Sequence, residues 1–419
     1  MSVRGSRTRR WRVPPAPAQP QERLVGAQLL QESEGELATL LWRSLRAVSA
    51  WAATPPADRA LLFAPGARDQ RMADLLAAAP PAALERPLRA LADLLGDPAG
   101  ASPDRVGIAC LSVAAWAREA GKPTTALEFT HVGALACPGS PSYALAAARE
   151  SRDAGESGAS EAMYHRAVAL ARQVCDWDSY VRAHAGLGKL AQARGVYPGA
   201  RKSLLRALRA AERRSLGYLR AMVLHDLFTV EVDCDRAAEA ERYAEAAADA
   251  YGRGHGMAPR LAFDVAVFWM SRGRFREALP VFLRTLHAFD ADGQLLGWGT
   301  VARSAGAVGD EAAFERAYER VAAAPASLPR KVDALRDAAQ GAIHLGRPTQ
   351  AEEAARRALL LAGERGEHKN LFVLEAVLEQ AAALRAGTRA RGRVAPEPES
   401  RVESPLFRKL DGILGAVPV

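Results

Sequence analysis

The 419-residue sequence predicts an all-α fold built as a solenoid of stacked helical hairpins. Three observations carry that prediction. Ala, Leu, Arg and Glu dominate the stretch between the two ends, and β-branched runs are almost absent, which favours helix over strand. The hexapeptide Gly121-Lys-Pro-Thr-Thr-Ala126 returns as Gly346-Arg-Pro-Thr-Gln-Ala351, and the same frame, Gly followed five residues later by a helix-starting Ala, stands at Gly195/Ala200 and Gly273/Ala278. The frame is also periodic. With Gly309 leading to Phe314 beside Ala313, and weaker units at Ala162 and Ala240, the anchors fall at 126, 162, 200, 240, 278, 314 and 351. A recurrence every 36 to 40 residues is the mark of a helical repeat array.

The physical reading of one unit is two antiparallel helices. The Gly ends the first helix, because it takes the left-handed conformation without strain. The anchor Ala lets the second helix approach the first closely. Seven residues on stand Gly133, Ala169, Ala207, Ala247, Thr285, Val321 and Ala358, mostly small, which make room for the next unit. A single pair cannot bury its apolar faces, so neighbours must stack.

Along the chain, residues 1–21 are Arg- and Pro-rich and predicted to be disordered. Residues 22–105 form a helical N-terminal region, either degenerate repeats or a separate helical domain. There, 36–53 sets Leu37, Leu40, Leu41, Leu45, Val48 and Trp51 on one helical stripe. Thr54-Pro55, Ser102-Pro103 and Ser140-Pro141 read as helix starts, and a helix beginning near Pro87 stops at Gly96. About seven repeats occupy 106–365, a capping helix 366–387, and a basic linker with a short apolar segment 388–419. In that last piece Leu406, Phe407, Leu410, Ile413 and Leu414 have the spacing of an amphipathic helix that docks on the body or on a partner.

Composition bounds the function. The chain carries 56 Lys+Arg against 48 Asp+Glu, a net charge of +8 and a pI near 9.6. Five Arg in residues 1–12 and a basic excess in 385–419 supply that surplus, so the body 13–384 is close to neutral. Nucleic-acid binding through the fold would call for a basic face on the folded part. Four Cys exclude a disulfide scaffold. No apolar stretch is long enough to span a bilayer, and no targeting signal is evident, so a cytoplasmic location is expected. Arg far exceeds Lys, and Ala and Pro are abundant, as in GC-rich bacterial coding.

At this point the chain resembles the tetratricopeptide repeat (TPR) family, as a bacterial member. The third unit carries the resemblance through Leu187-Gly188, Gly195, Tyr197, Ala200 and Ala207, and the fifth through Trp269, Gly273, Phe275, Ala278 and Phe282. It covers about 260 residues. The period exceeds the family's usual 34, and the closing Pro survives only as Pro138. The resemblance implies a right-handed α-solenoid whose first helices line a concave groove for a peptide or protein partner. By register it places Arg182, Lys189, His225, Thr229, Arg260, Phe263, Arg303, Arg336, Gln340 and His344 toward that groove. Five of these are cations, suited to an acidic segment. The family's carboxylate clamp is not carried over, because Ala185 and Thr229 stand where its Lys and Asn belong.

Catalytic and cofactor motifs fall away. Ala183-His-Ala-Gly-Leu-Gly-Lys-Leu190 lacks the first Gly and the closing Ser/Thr of a phosphate loop. Tyr251-Gly-Arg-Gly-His-Gly256 reads as an inter-repeat loop. The eight His form no His-x3-His pair, and Cys110, Cys137, Cys175 and Cys234 read as small buried helix residues rather than metal ligands. The expectation is therefore a non-enzymatic interaction scaffold with no catalytic residue, cofactor, metal or membrane, and with tails whose removal leaves the fold intact. The alternative is a sensor or regulatory module of a bacterial transcription or signalling system, touching nucleic acid through its basic tails and Trp11.

Overall fold

The computed structural model describes residues 13–15, 27–367, 370–387 and 404–415. The Arg-rich start with Trp11, most of the predicted disordered segments, and residues 368–369 of the predicted cap lie outside them. All regular elements among the described residues are helical. The chain divides into two compact units, 1–230 and 231–419.

In the first unit the helices are α1 (Leu29–Glu32), α2 (Gly35–Ala53), α3 (Ala67–Ala78), α4 (Ala82–Gly96), α5 (Pro103–Glu119), α6 (Pro123–Ala136), α7 (Pro141–Asp153), α8 (Ser157–Val174), α9 (Trp177–Ala193) and α10 (Tyr197–Arg213). The boundary falls within α11 (Gly217–Asp233). The α2 stripe is buried as its spacing demands, from Leu40 to Trp51, and the Trp51 indole N–H donates to the Pro98 carbonyl at 2.7 Å. Thr54-Pro55 leads into a 3-10 turn at Pro56–Leu61, and Pro87 lies inside α4 rather than at its start.

Glu32 ties this region to the first hairpin. Its carboxylate accepts the backbone N–H groups of Thr124 and Thr125, both at 2.7 Å, and the Thr125 hydroxyl, capping the start of α6. Burial alone pushes the Glu32 carboxyl upward, but these bonds outweigh it and hold the group below its ordinary range.

The second unit continues with α12 (Ala237–Tyr251), α13 (Ala258–Ser271), α14 (Phe275–Thr285), α15 (Ala291–Val308), α16 (Glu311–Ala323), α17 (Lys331–His344), α18 (Pro348–Arg365), α19 (Leu371–Arg385) and α20 (Pro405–Leu414). Two successive first helices, α15 and α17, touch backbone to backbone. A Cβ on Gly306 would lie 2.3 Å from the Gly341 carbonyl oxygen, and one on Gly341 would lie 2.3 Å from that of Ala302. Lys331 is fully buried, and its ammonium donates to the carbonyls of Val321, Ala322 and Ala324, closing the end of α16.

Among the described residues the hairpin frame is observed seven times, with turn residues in the left-handed region at Gly121, Gly155, Gly195, Asp235, Gly273, Gly309 and Gly346. This is a TPR-like helical repeat. The second hairpin corrects the sequence register. Ala162 and Ala169 are only half-buried, whereas Ser160 and Ala167 are fully buried, five and twelve residues after Gly155. A serine takes the anchor position because its hydroxyl donates to the Ala148 carbonyl at 2.8 Å, satisfying the one polar group it brings.

The C-terminal segment is a structural element of the second unit. Leu406, Leu410 and Ile413 of α20 are buried against α12, α13 and α14, and Phe407 stacks on Trp269 with ring centroids 6.2 Å apart. Arg284 pairs with Asp411, Lys409 with Asp249 at 2.7 Å, and the Gly254 N–H donates to the Ile413 carbonyl at 3.2 Å. The Gly-rich loop after Tyr251 thus receives this helix. Of the two places expected for the apolar segment, the body or a partner, the structure puts it on the body.

Candidate partner-binding face

The first helices of the hairpins place their polar residues by register. Asp226, Asp264 and Asp337 each stand fourteen residues before their unit's anchor, Ala240, Ala278 and Ala351. Lys189 and Arg303 stand eleven before theirs, Ala200 and Phe314. Stacking brings the second position of one unit against the first position of the next. Lys189 Nζ lies 3.0 Å from Asp226 Oδ1 in the first unit of the chain, and Arg303 Nη1 lies 3.4 Å from Asp337 Oδ1 in the second.

Every cation predicted for this face has an acidic partner. Arg182 holds Asp178 at 2.5 Å and Arg260 holds Asp264 at 3.2 Å, both one turn apart on their own helices. Arg336 holds Asp333 at 3.0 Å and Asp337 at 3.4 Å, and donates to the Asn370 side-chain oxygen Oδ1 at 2.9 Å. The face is consequently mixed and internally compensated. This corrects the picture of five open cations suited to an acidic segment.

The remaining predicted residues divide. Thr229 accepts from Gln192 at 3.3 Å and donates to the Asp226 carbonyl at 2.9 Å, so it belongs to the Lys189–Asp226 cluster. Gln340 is half-buried beside the α15–α17 crossing, and the His344 ring meets Phe275 edge-on at 5.6 Å. His225 is buried and lies 6.2 Å from the Phe228 ring. Phe263 is a core residue, edge-on to both Phe282 and Phe289 at 5.2 Å, and is removed from the face. The reason is that the accessible stripe of α13 runs through Arg260, Asp264, Val267 and Ser271, and Phe263 stands off it, turned into the hairpin core.

Burial sets the electrostatics. Asp226 and Asp337 are nearly inaccessible, and burial pushes both carboxyls up despite Lys189 beside the first and Arg336 and Arg303 beside the second. Each pair is also incompletely satisfied. Asp226 Oδ2, Arg303 Nε and Gln340 Oε1 are buried with no hydrogen-bond partner. These three atoms sit at equivalent or adjoining register positions in the two halves of the chain.

Asp178, Gln192, Asp226, Asp333 and Asp337 were missed by sequence reasoning. The Asp178–Arg182 and Arg260–Asp264 spacings were visible as i,i+4 pairs. The pairs between repeats were not, since they join positions 34 to 37 residues apart. Among other candidates, Ala183 to Leu190 lies wholly inside α9 and forms no loop, and Cys175 is exposed at the end of α8 with φ 58°, not buried. Among the described residues, no helix is long and apolar enough to cross a membrane.

No protein-family model matches the chain, and no curated protein matches it. Solved structures similar to it include the apo form of RapI, at 11% identity and TM-score 0.45 over 67% of this chain and 97% of that one. A Rap protein complexed with competence and sporulation factor gives 13% identity and 0.46 over 79% and 99%. Aspartyl phosphate phosphatase F from Bacillus subtilis gives 11% identity and 0.46 over 88% and 98%.

Proposed function

We propose that this protein is a non-catalytic interaction scaffold whose first-helix face binds a peptide or protein segment. The observation supporting this reading is the set of orphaned polar atoms, Asp226 Oδ2, Arg303 Nε and Gln340 Oε1. A buried acceptor or donor without a partner costs about 1–3 kcal/mol. Such groups persist where a ligand supplies the missing bond. In the second unit a segment crossing α15 and α17 offers a backbone N–H to Gln340 Oε1 and a carbonyl to Arg303 Nε, and in the first unit Asp226 Oδ2 offers an acceptor of its own. Displacement of the half-exposed Lys189 side chain gives access to Asp226. Because the face is internally compensated, the segment is of mixed rather than uniformly acidic character.

The test is selection of binding peptides from an unbiased display library, followed by affinity measurement against Asp226→Asn and Gln340→Ala. Selected peptides are expected to lose about tenfold or more in affinity for the variant in the unit that they occupy. Peptides that bind both variants as tightly as the parent chain would refute the assignment of this face.

A further inference from the structure

Away from the first-helix face, the first unit carries a recess of about 400 Å³ where the end of α8, the start of α9 and the second half of α10 meet. Five arginines line it, Arg172 from α8, and Arg206, Arg209, Arg213 and Arg214 from α10 and its end, together with Trp177 and Tyr180 of α9. Chance surface charge does not explain this gathering, because the body of the chain is near neutral.

The source is the α10 sequence. Lys202, Arg206, Arg209 and Arg213 follow each other at spacings of four, three and four, and all four are exposed, forming a cationic stripe about 16 Å long. Among the described residues, no carboxylate is paired with Arg206, Arg209, Arg213 or Arg214, in contrast to every predicted cation on the first-helix face. Aromatic rings orient the rim. The Arg214 guanidinium stacks 4.2 Å from the Trp177 ring centroid, and Arg172 lies 5.2 Å from that of Tyr180 and donates to its hydroxyl at 3.1 Å.

The floor reports the same field. His184 lies behind Tyr180, ring centroids 4.6 Å apart, and both of its ring nitrogens are buried without a partner. Burial, reinforced by Arg206 and Arg172, pushes its pKa down to about 4. Arg206, Arg209, Arg213 and Arg214, held together without a paired carboxylate among the described residues, repel one another, so this arrangement is completed by a bound anion.

We propose that this recess is a binding site for a compact polyphosphate anion, inorganic or nucleoside-linked. Its size suits a small ligand rather than a folded partner. Guanidinium forks match phosphate oxygens bidentately, and four or five of them balance the three to four charges of such an anion. A peptide carboxylate brings one charge and leaves most of the arginines uncompensated.

The experiment is calorimetric titration of the full chain at 0.15 M KCl with tripolyphosphate and with ATP. Sulfate at matched ionic strength and a twenty-residue oligo-dT serve as further arms. Tripolyphosphate and ATP are expected to bind with Kd below about 100 μM, and the double variant Arg206→Gln/Arg213→Gln to weaken both by about thirtyfold or more. Equal affinities identify the phosphates alone as the recognised group, and tighter ATP binding adds a base contact. Since neither arginine holds a carboxylate, the double variant is expected to melt at or above the parent temperature. The proposal is overturned by sulfate reproducing the effect, by unchanged affinity in the double variant, by collapse of that variant, or by oligo-dT that ATP cannot displace.

Discussion

Lys189 Nζ lies 3.0 Å from Asp226 Oδ1, joining the first helices of two successive hairpins. Arg303 and Asp337 repeat the relationship at the same register positions. A nearly inaccessible carboxylate held by a half-exposed ammonium is costly to strand. Lys189→Ala is therefore expected to destabilise the fold by about 1–3 kcal/mol, at the lower side of the buried-pair range because the lysine is partly solvated. Asp226→Asn, which removes the charge and keeps the shape, is expected to cost less. Urea unfolding of both single variants and the double variant checks this, and a coupling energy near zero would contradict it.

The α15–α17 crossing yields a second outcome. Gly306→Ala pushes a methyl group into the backbone of Gly341, where no side chain can move aside. A loss of about 2–3 kcal/mol is expected from overpacking. Gly309→Ala, at a turn with φ 80° and open space around it, is expected to lose about 1 kcal/mol from backbone strain alone. The ranking of the two melting temperatures tests the claim that close approach, not turn geometry, dominates there.

His184 makes stability depend on acid. Its folded-state pKa, about 4, lies below the ordinary 6.5, so the unfolded chain takes up the proton first. The contribution of His184 is fully present above pH 6.5 and is lost as pH falls toward 4, amounting to roughly 3 kcal/mol. His184→Phe removes two unpartnered nitrogens and is expected to flatten this dependence. Chemical denaturation at pH 7 and pH 4.5 decides it, and an equal acid loss in the variant would contradict the assignment.

Much of the fold was legible because glycine at a left-handed turn and alanine at a close contact have few substitutes. Gly121/Ala126 and Gly346/Ala351 therefore show in the sequence what they do in the structure. Where other residues serve, the pattern blurs. Asp235 takes the turn position of the fourth hairpin at φ 57°, and Ser160 takes the anchor of the second, which displaced the reading to Ala162. The candidate face was legible in its cations but not in their compensation, because Asp226 and Asp337 reach their partners only once hairpins are stacked in register. The arginine recess depends on three helices meeting and was not read from the sequence at all.

The C-terminal helix provides a fourth outcome. Deleting residues 388–419 uncovers the surface beneath Leu406, Leu410 and Ile413 and leaves Trp269 without its Phe407 stack. Burial of side chains of this size is worth about 1.5–3 kcal/mol each before ordering entropy is subtracted, so a net loss of about 3–5 kcal/mol is expected. Thermal unfolding followed by tryptophan fluorescence measures it. A truncated chain with unchanged melting and emission would show that α20 contributes nothing to the second unit.

The most direct test of the first-helix face is hydrogen exchange read by mass spectrometry, with and without a selected peptide at saturation. Protection is expected in α15 and α17, around Arg303 and Gln340, for a peptide held by the second unit, or in α9 and α11, around Lys189 and Asp226, for one held by the first, with the outer helices α10, α14 and α18 unchanged. Protection confined to those outer helices, or absent from both layers, would contradict the account.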